Sequence, residues 1–164
     1  MRRMAKGTKV SAARTVGIVA YLAGFSAYAV LNSFVIGVPV VYGAAYAAIF
    51  GALAYYSYRY SSNLVFWRAL DGSIHAKGGT AIYIFYIAAL LARILVSYAL
   101  TGSQEFFVNP IVQTVEKAAP ETIMAAAITD GLLMVAAGLL VGRNAMLLRR
   151  FKRIKSGKET VQEL

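Results

Sequence analysis

Residues 15–58 read TVGIVAYLAGFSAYAVLNSFVIGVPVVYGAAYAAIFGALAYYSY, 44 positions without an Asp, Glu, Lys, Arg or His. A bilayer hydrocarbon core takes roughly 20 apolar residues per helix, so this stretch holds two spans. Gly37-Val38-Pro39 marks the reversal between them, because proline suits the start of a helix and breaks its interior. Asn32-Ser33 is the alternative turn. The spans are expected over 15–36 and 39–58. The first is too long for the short apolar core of a cleaved signal and runs straight into the second, so it reads as a retained helix.

Two further stretches carry one charge each. Gly78 to Leu100 contains only Arg93, and Thr122 to Gly142 contains only Asp130. They predict spans over 80–100 and 121–142. The remaining segments are a basic arm (1–14), a loop (59–79), a second loop (101–120) and a basic tail (143–164). The expected fold is all-α, an integral membrane four-helix bundle in one domain, with no room for a separate soluble domain. An apolar content of 59% exceeds that of an average soluble domain.

The basic residues sort by side. Arg2, Arg3, Lys6, Lys9 and Arg14 lie in the arm, and Arg59, Arg68 and Lys77 in the first loop. Arg143, Arg149, Arg150, Lys152, Arg153, Lys155 and Lys158 lie in the tail, so 15 of the 17 Lys and Arg share one side of a four-span topology. The other side holds Lys117 with Glu105, Glu116 and Glu121. Short loops rich in Lys and Arg stay in the cytoplasm. Both termini are expected there, in the plasma membrane of the cell. The net charge of +10 is thereby explained by orientation, which removes the case for nucleic acid.

The loops have local patterns. Leu64-Val65-Phe66-Trp67 favours a strand, Asp71-Gly72 is a two-residue hairpin turn, and Ser73 to Lys77 returns; an irregular loop or a short interfacial helix is the alternative. In the outer loop, Asn109 and Pro110 suit a helix start, with Ile111, Val112 and Val115 sharing a face with Phe107. That pattern fits an amphipathic surface helix or a lid packed on the bundle. In the tail, Leu147, Phe151 and Ile154 repeat at helical spacing between basic residues. Arg149, Arg150, Lys152, Arg153 and Lys155 are the candidate contacts to an anionic inner leaflet; a plain topology anchor is the alternative. Tyr55, Tyr56, Tyr58 and Tyr60 fit an interfacial aromatic belt.

Small residues recur at helix-packing spacing. Gly43, Ala47 and Gly51 form one stripe, and Gly138 with Gly142 forms a GxxxG. In lipid such residues let backbones approach closely, within one chain or against other membrane-protein subunits or a second copy. Arg93 and Asp130 are the two ionisable groups deep in the spans, and such groups face the bundle and pair. At about 1.5 Å per residue they lie roughly 10 and 14 Å below the outer surface, close enough in depth for an ion pair. Thr129, Ser97 and Tyr98 are candidates to complete its hydrogen bonds. The pair reads either as a structural clasp or as a proton, ion or substrate site.

Other chemistry has little to build on. There is no Cys, and His75 is the one histidine, so no bis-histidine haem fits one chain and no metal cluster is spelled out. No catalytic residue, metal or cofactor is expected. The run Tyr58-Arg59 … Phe66-Trp67-Arg68-Ala69-Leu70-Asp71-Gly72-Ser73-Ile74-His75-Ala76-Lys77-Gly78-Gly79, followed by a span carrying Arg93, resembles the CcdC-like membrane proteins. These are small four-helix proteins with basic inner loops, named for their association with cytochrome c maturation. The resemblance covers the middle third of the chain and its layout, while the outer loop here is longer. It implies the four-helix fold and a link to cytochrome maturation, and it brings no catalytic residues. The expected function is a non-catalytic accessory or scaffold subunit of a larger membrane complex, linked to respiration or cytochrome maturation. The alternative is a small oligomeric transporter or channel using Arg93 and Asp130.

Overall fold

Gly37 ends the first helix in the left-handed region at φ 107°, a conformation glycine adopts without a Cβ penalty. The two hydrogen bonds Val38 N–H to Ser33 O and Gly37 N–H to Phe34 O, at 3.0 and 3.2 Å, are those of a Schellman cap. The reversal therefore falls at Gly37-Val38-Pro39 and not at Asn32-Ser33. The computed structural model describes residues 8–35, 37–101, 120–159 and 162–163. The surface helix expected around Asn109 and Pro110 lies outside the described residues.

The order is β1 (Thr8–Lys9), α1 (Ala12–Val35), α2 (Val41–Tyr60), a 3-10 turn (Ser61–Asn63), β2 (Val65–Arg68), β3 (Ile74–Lys77), α3 (Thr80–Thr101), α4 (Pro120–Lys155) and β4 (Gln162–Glu163). α1, α3 and α4 are long and apolar enough to cross a membrane. Span two, expected over 39–58, corresponds to α2, whose several tyrosines and Arg59 make it less apolar.

The bundle is built around one helix. α1, α2 and α3 each pack against α4. In its most apolar 18-residue window α4 is 61% buried, against 17% for α1 and 22% for α3. The sequence of α4 explains this: Ala125, Ala126, Ala136, Ala137, Gly138 and Gly142 are all buried, and small side chains let neighbours approach on several faces. α2 runs parallel to α4, since Tyr46 Oη donates to Ala127 O (2.9 Å) while Phe50 meets Gly138 and Ala54 meets Gly142. α1 and α3 run against α4: Ser33 reaches Asp130 while Gly37 meets Ile123, and Tyr83 reaches Arg143. The four helices thus alternate in direction.

The GxxxG of α4 is an internal seam. A Cβ on Gly138 would lie 2.7 Å from Phe50 O, and one on Gly142 only 2.0 Å from Ala54 O. Ser57 Oγ donates to Leu139 O at 2.5 Å along the same line. The stripe expected on α2 does not face α4. A Cβ added at Gly51 would have nothing within 4 Å, and one at Gly43 would meet only Phe34, while Ala47 and Gly51 are exposed. The packed face carries Tyr46, Phe50, Ala54 and Ser57 instead, because α4 supplies the small residues and its carbonyls accept from the two hydroxyls.

Beyond the apolar part, α4 continues to Lys155. Its 36 residues span about 54 Å at 1.5 Å each, well over the ~30 Å of a hydrocarbon core. The extension carries a four-stranded sheet in the order β1-β3-β2-β4, an addition to the all-α expectation. β2 and β3 form the antiparallel hairpin, pairing Val65 with Lys77 and Arg68 with Ile74. β1 pairs antiparallel with β3, and β4 parallel with β2. The hairpin loop is Leu70-Asp71-Gly72, one residue longer than Asp71-Gly72 alone: Ala69 N–H donates to Ser73 O (2.9 Å) and Gly72 N–H to Ala69 O (2.8 Å). Asp71 accepts from the backbone and hydroxyl of Ser73 at 2.9 and 2.5 Å, and these bonds hold its carboxyl below the usual range.

Alternation along the strands puts Leu64, Phe66, Ile74 and Ala76 on one face, where they form a core with Val10, Leu147, Ile154 and Phe151. This corrects the expectation for the tail. The stripe Leu147, Phe151, Ile154 does not lie on a lipid surface; it is occupied by the sheet.

Candidate functional site

The sheet joins the described part of the arm, the 59–79 loop and the described part of the C-terminal tail at one end of the bundle. Between the end of α2 and the extension of α4 lies a cleft of about 390 Å³ lined by Tyr58, Arg59, Ser62, Met146, Arg149, Arg150, Arg153 and Glu159. Four arginines face one carboxylate, so the cleft carries an excess of positive charge.

The arginines differ in role. Arg150 Nη1 donates to Leu64 O at 2.7 Å and Ser62 O at 3.4 Å, and its guanidinium lies 4.5 Å from the centre of the Phe66 ring. Its Nε donates to Glu159 Oε1 at 2.8 Å, and Nη2 contacts the same oxygen. Arg150 therefore rivets the sheet to α4, and the expectation that it meets lipid is corrected: its donors are spent inside the chain. Arg149 donates to Tyr58 Oη, Arg153 Nε lies 3.9 Å from Glu159 Oε2, and Arg149, Lys152, Arg153 and Lys155 are exposed. Those four, with Arg59, remain available to an anionic surface.

Glu159 reaches the cleft because α4 ends in a second Schellman cap. Lys158 N–H donates to Arg153 O (3.0 Å) and Gly157 N–H to Ile154 O (3.2 Å), which folds the chain back over its own last turn. Sequence reasoning missed the role of Glu159, although a lone acid two residues after Gly157 in a basic tail is a readable sign of it.

The second polar cluster lies inside the bundle. Asp130 on α4 and Arg93 on α3 are 2% and 7% exposed and interact through their charges. The carboxylate accepts a hydrogen bond from Ser33 on α1, so the cluster ties α1 and α3 to the central helix. Sequence reasoning missed Ser33 too, because nothing in an apolar span distinguishes one serine from another. Thr129 does not complete the cluster: its hydroxyl donates to Ala125 O (2.7 Å) and Ala126 O (3.2 Å) of its own helix. Tyr98 is exposed, and Ser97 is buried one turn beyond Arg93.

Among the described residues no group of three His, Cys, Asp or Glu side chains is placed to hold a metal ion. His75 stacks on its cross-strand partner Trp67 with ring centres 5.7 Å apart and contacts Ser73 Oγ through Nε2 at 2.8 Å. No family model, curated protein or solved structure matches the chain.

Proposed function

We propose that the protein is a four-span membrane scaffold with both termini in the cytoplasm, acting as a non-catalytic accessory subunit of a larger complex in the plasma membrane. One observation carries this reading. The described basic residues of the arm, the 59–79 loop and the tail are collected at one end of an alternating bundle whose outer helices turn large apolar side chains outward. Tyr21, Phe25, Leu31 and Val35 on α1, and Ile84, Phe85, Leu91 and Leu95 on α3, are exposed. A soluble monomer rarely exposes apolar patches beyond a few hundred Å², whereas lipid or partner helices cover such faces without cost. α2 crosses beside α4 despite its tyrosines, because it runs the length of the same buried seam.

The inner end then has two uses. Arg59, Arg149, Lys152, Arg153 and Lys155 meet anionic head groups, and the sheet offers a folded face at the membrane surface. The Ser33–Asp130 bond favours a clasp over a transport site at Asp130. The likeness to CcdC-like proteins makes cytochrome maturation the first complex to test.

The cysteine-free chain allows a direct check of topology. Single Ser103→Cys and Ser156→Cys variants are treated with a membrane-impermeant maleimide. Labelling of Ser103→Cys in intact cells, and of Ser156→Cys only after permeabilisation, is expected; the reverse pattern would sink the orientation. Native mass spectrometry from mild detergent at native expression should retain larger subunits. A lone monomer or a closed homo-oligomer would remove the accessory role.

A further inference from the structure

Arg143 is the first residue past the apolar run of α4, and it is 6% exposed. Its Nη1 donates to Tyr83 Oη at 2.8 Å, and its guanidinium lies 4.4 Å from the centre of that ring. Its Nε lies beside Gly79 and has no hydrogen-bond partner among the described residues. Among the described residues no carboxylate forms an ion pair with Arg143. A buried guanidinium without a counter-charge is strongly unfavourable, because desolvation is not repaid by attraction.

Two more sources of positive potential converge on the same place. The start of α1 presents first-turn N–H groups that have no acceptor within the helix, and no acidic side chain occupies that turn. Thr15 Oγ1 donates to Ser11 O at 2.8 Å, closing the first turn without capping those donors. Lys9 on β1 and Arg14 on α1 then join Arg143 around a cavity of about 70 Å³, which Ser11 and Asn144 also line and which no Asp or Glu of the described residues lines. This differs from the cleft beside α2, where Glu159 supplies a carboxylate from within the chain.

We propose that this cavity binds the phosphate group of an anionic ligand, held by Arg143, Arg14, Lys9 and the first N–H groups of α1. Helix N-termini and guanidinium forks are both suited to phosphate oxygens. At about 70 Å³ the cavity is several times the least volume that holds one water, room for a phosphate group. A lipid head group and free inorganic phosphate share this chemistry. The lipid source rests on the membrane reading above, since it needs the start of α1 and the end of the α4 apolar run to sit at head-group level; free phosphate does not.

The test uses the full chain purified in a phosphate-free maltoside detergent. Thermal midpoint and native mass are measured with phosphatidylglycerol in mixed micelles and, separately, with inorganic phosphate. A raised midpoint with a retained adduct is expected. A response to the lipid alone identifies a head-group site, and a response to both identifies a general phosphate site. Lys9→Gln with Arg14→Gln, both at exposed positions, should leave the ligand-free midpoint in place and weaken binding about tenfold or more, the scale of a lost charge-assisted bond. Arg143→Gln should abolish the response; if it does not fold, the double variant carries the test. No response to either probe, or an unchanged one in the double variant, overturns the proposal. So does an equal loss in Arg153→Gln, which would place the ligand in the cleft beside α2. A response to inorganic phosphate would stand even if maleimide labelling refuted the membrane topology.

Discussion

Gly142→Ala is the sharpest probe of how the bundle is assembled. Its new Cβ would lie 2.0 Å from Ala54 O, about 1.4 Å short of ordinary contact at 3.4 Å, and the obstacle is backbone that cannot rotate away. α2 must move off α4. Forced overpacking of this kind costs about 1–3 kcal/mol, and the shift stretches the buried Ser57–Leu139 hydrogen bond, worth about 1 kcal/mol. A total near 3 kcal/mol lowers the unfolding midpoint by about 10 °C in a chain of this size. Gly138→Ala, at 2.7 Å from Phe50 O, should show the same effect at roughly half the size. Gly51→Ala meets nothing within 4 Å and should be neutral or stabilising by up to about 1 kcal/mol through helix propensity. Midpoints read by circular dichroism in detergent decide it. A Gly142→Ala midpoint equal to that of the parent chain, or a Gly51→Ala loss as large as that of Gly142→Ala, would refute the α2–α4 seam.

Three other outcomes follow from the geometry. Leu147→Ala removes a buried side chain joining α4 to the sheet and should cost about 2–5 kcal/mol; the fluorescence of Trp67, the single tryptophan, reports loss of the sheet, and an unaltered transition would contradict that core. Ser33→Ala deprives the buried Asp130 carboxylate of the donor from α1, at about 1–3 kcal/mol. An unchanged midpoint in that variant would mean the cluster does not tie α1 to α4. Gly72→Ala places a Cβ at φ 75° and should destabilise the hairpin by about 1 kcal/mol, visible as faster amide exchange in β2 and β3; equal exchange in both proteins would count against the turn.

Much of the architecture was legible from one dimension. The absence of charge over residues 15–58, the break at Gly37-Val38-Pro39 and the isolated charges Arg93 and Asp130 located the helices, because solvation penalties act on each residue where it stands. The hairpin was legible through Asp71-Gly72 for the same local reason, although its loop length depends on the register of Ala69 with Ser73. The distribution of Lys and Arg also grouped the three segments that the sheet joins.

Partner choice was not legible. Spacing marked both Gly43-Ala47-Gly51 and Gly138-Gly142 as packing stripes, and only the second lies in the α2–α4 seam. Which small-residue groove is filled depends on which helix becomes central, and that is set by all three neighbours at once. The same holds for polar groups: a serine such as Ser33, an arginine such as Arg150 and an acid such as Glu159 acquire roles from atoms 97, 86 and 9 positions away in the chain. Composition and period thus determined the number of helices and the side on which their charges gather. Only the tertiary structure decided that α4 is the core, that its apolar stripe at the C-terminal end is consumed by a sheet, and that a buried arginine lines a cavity that no Asp or Glu of the described residues lines, because close approach and charge compensation are properties of pairs distant in sequence.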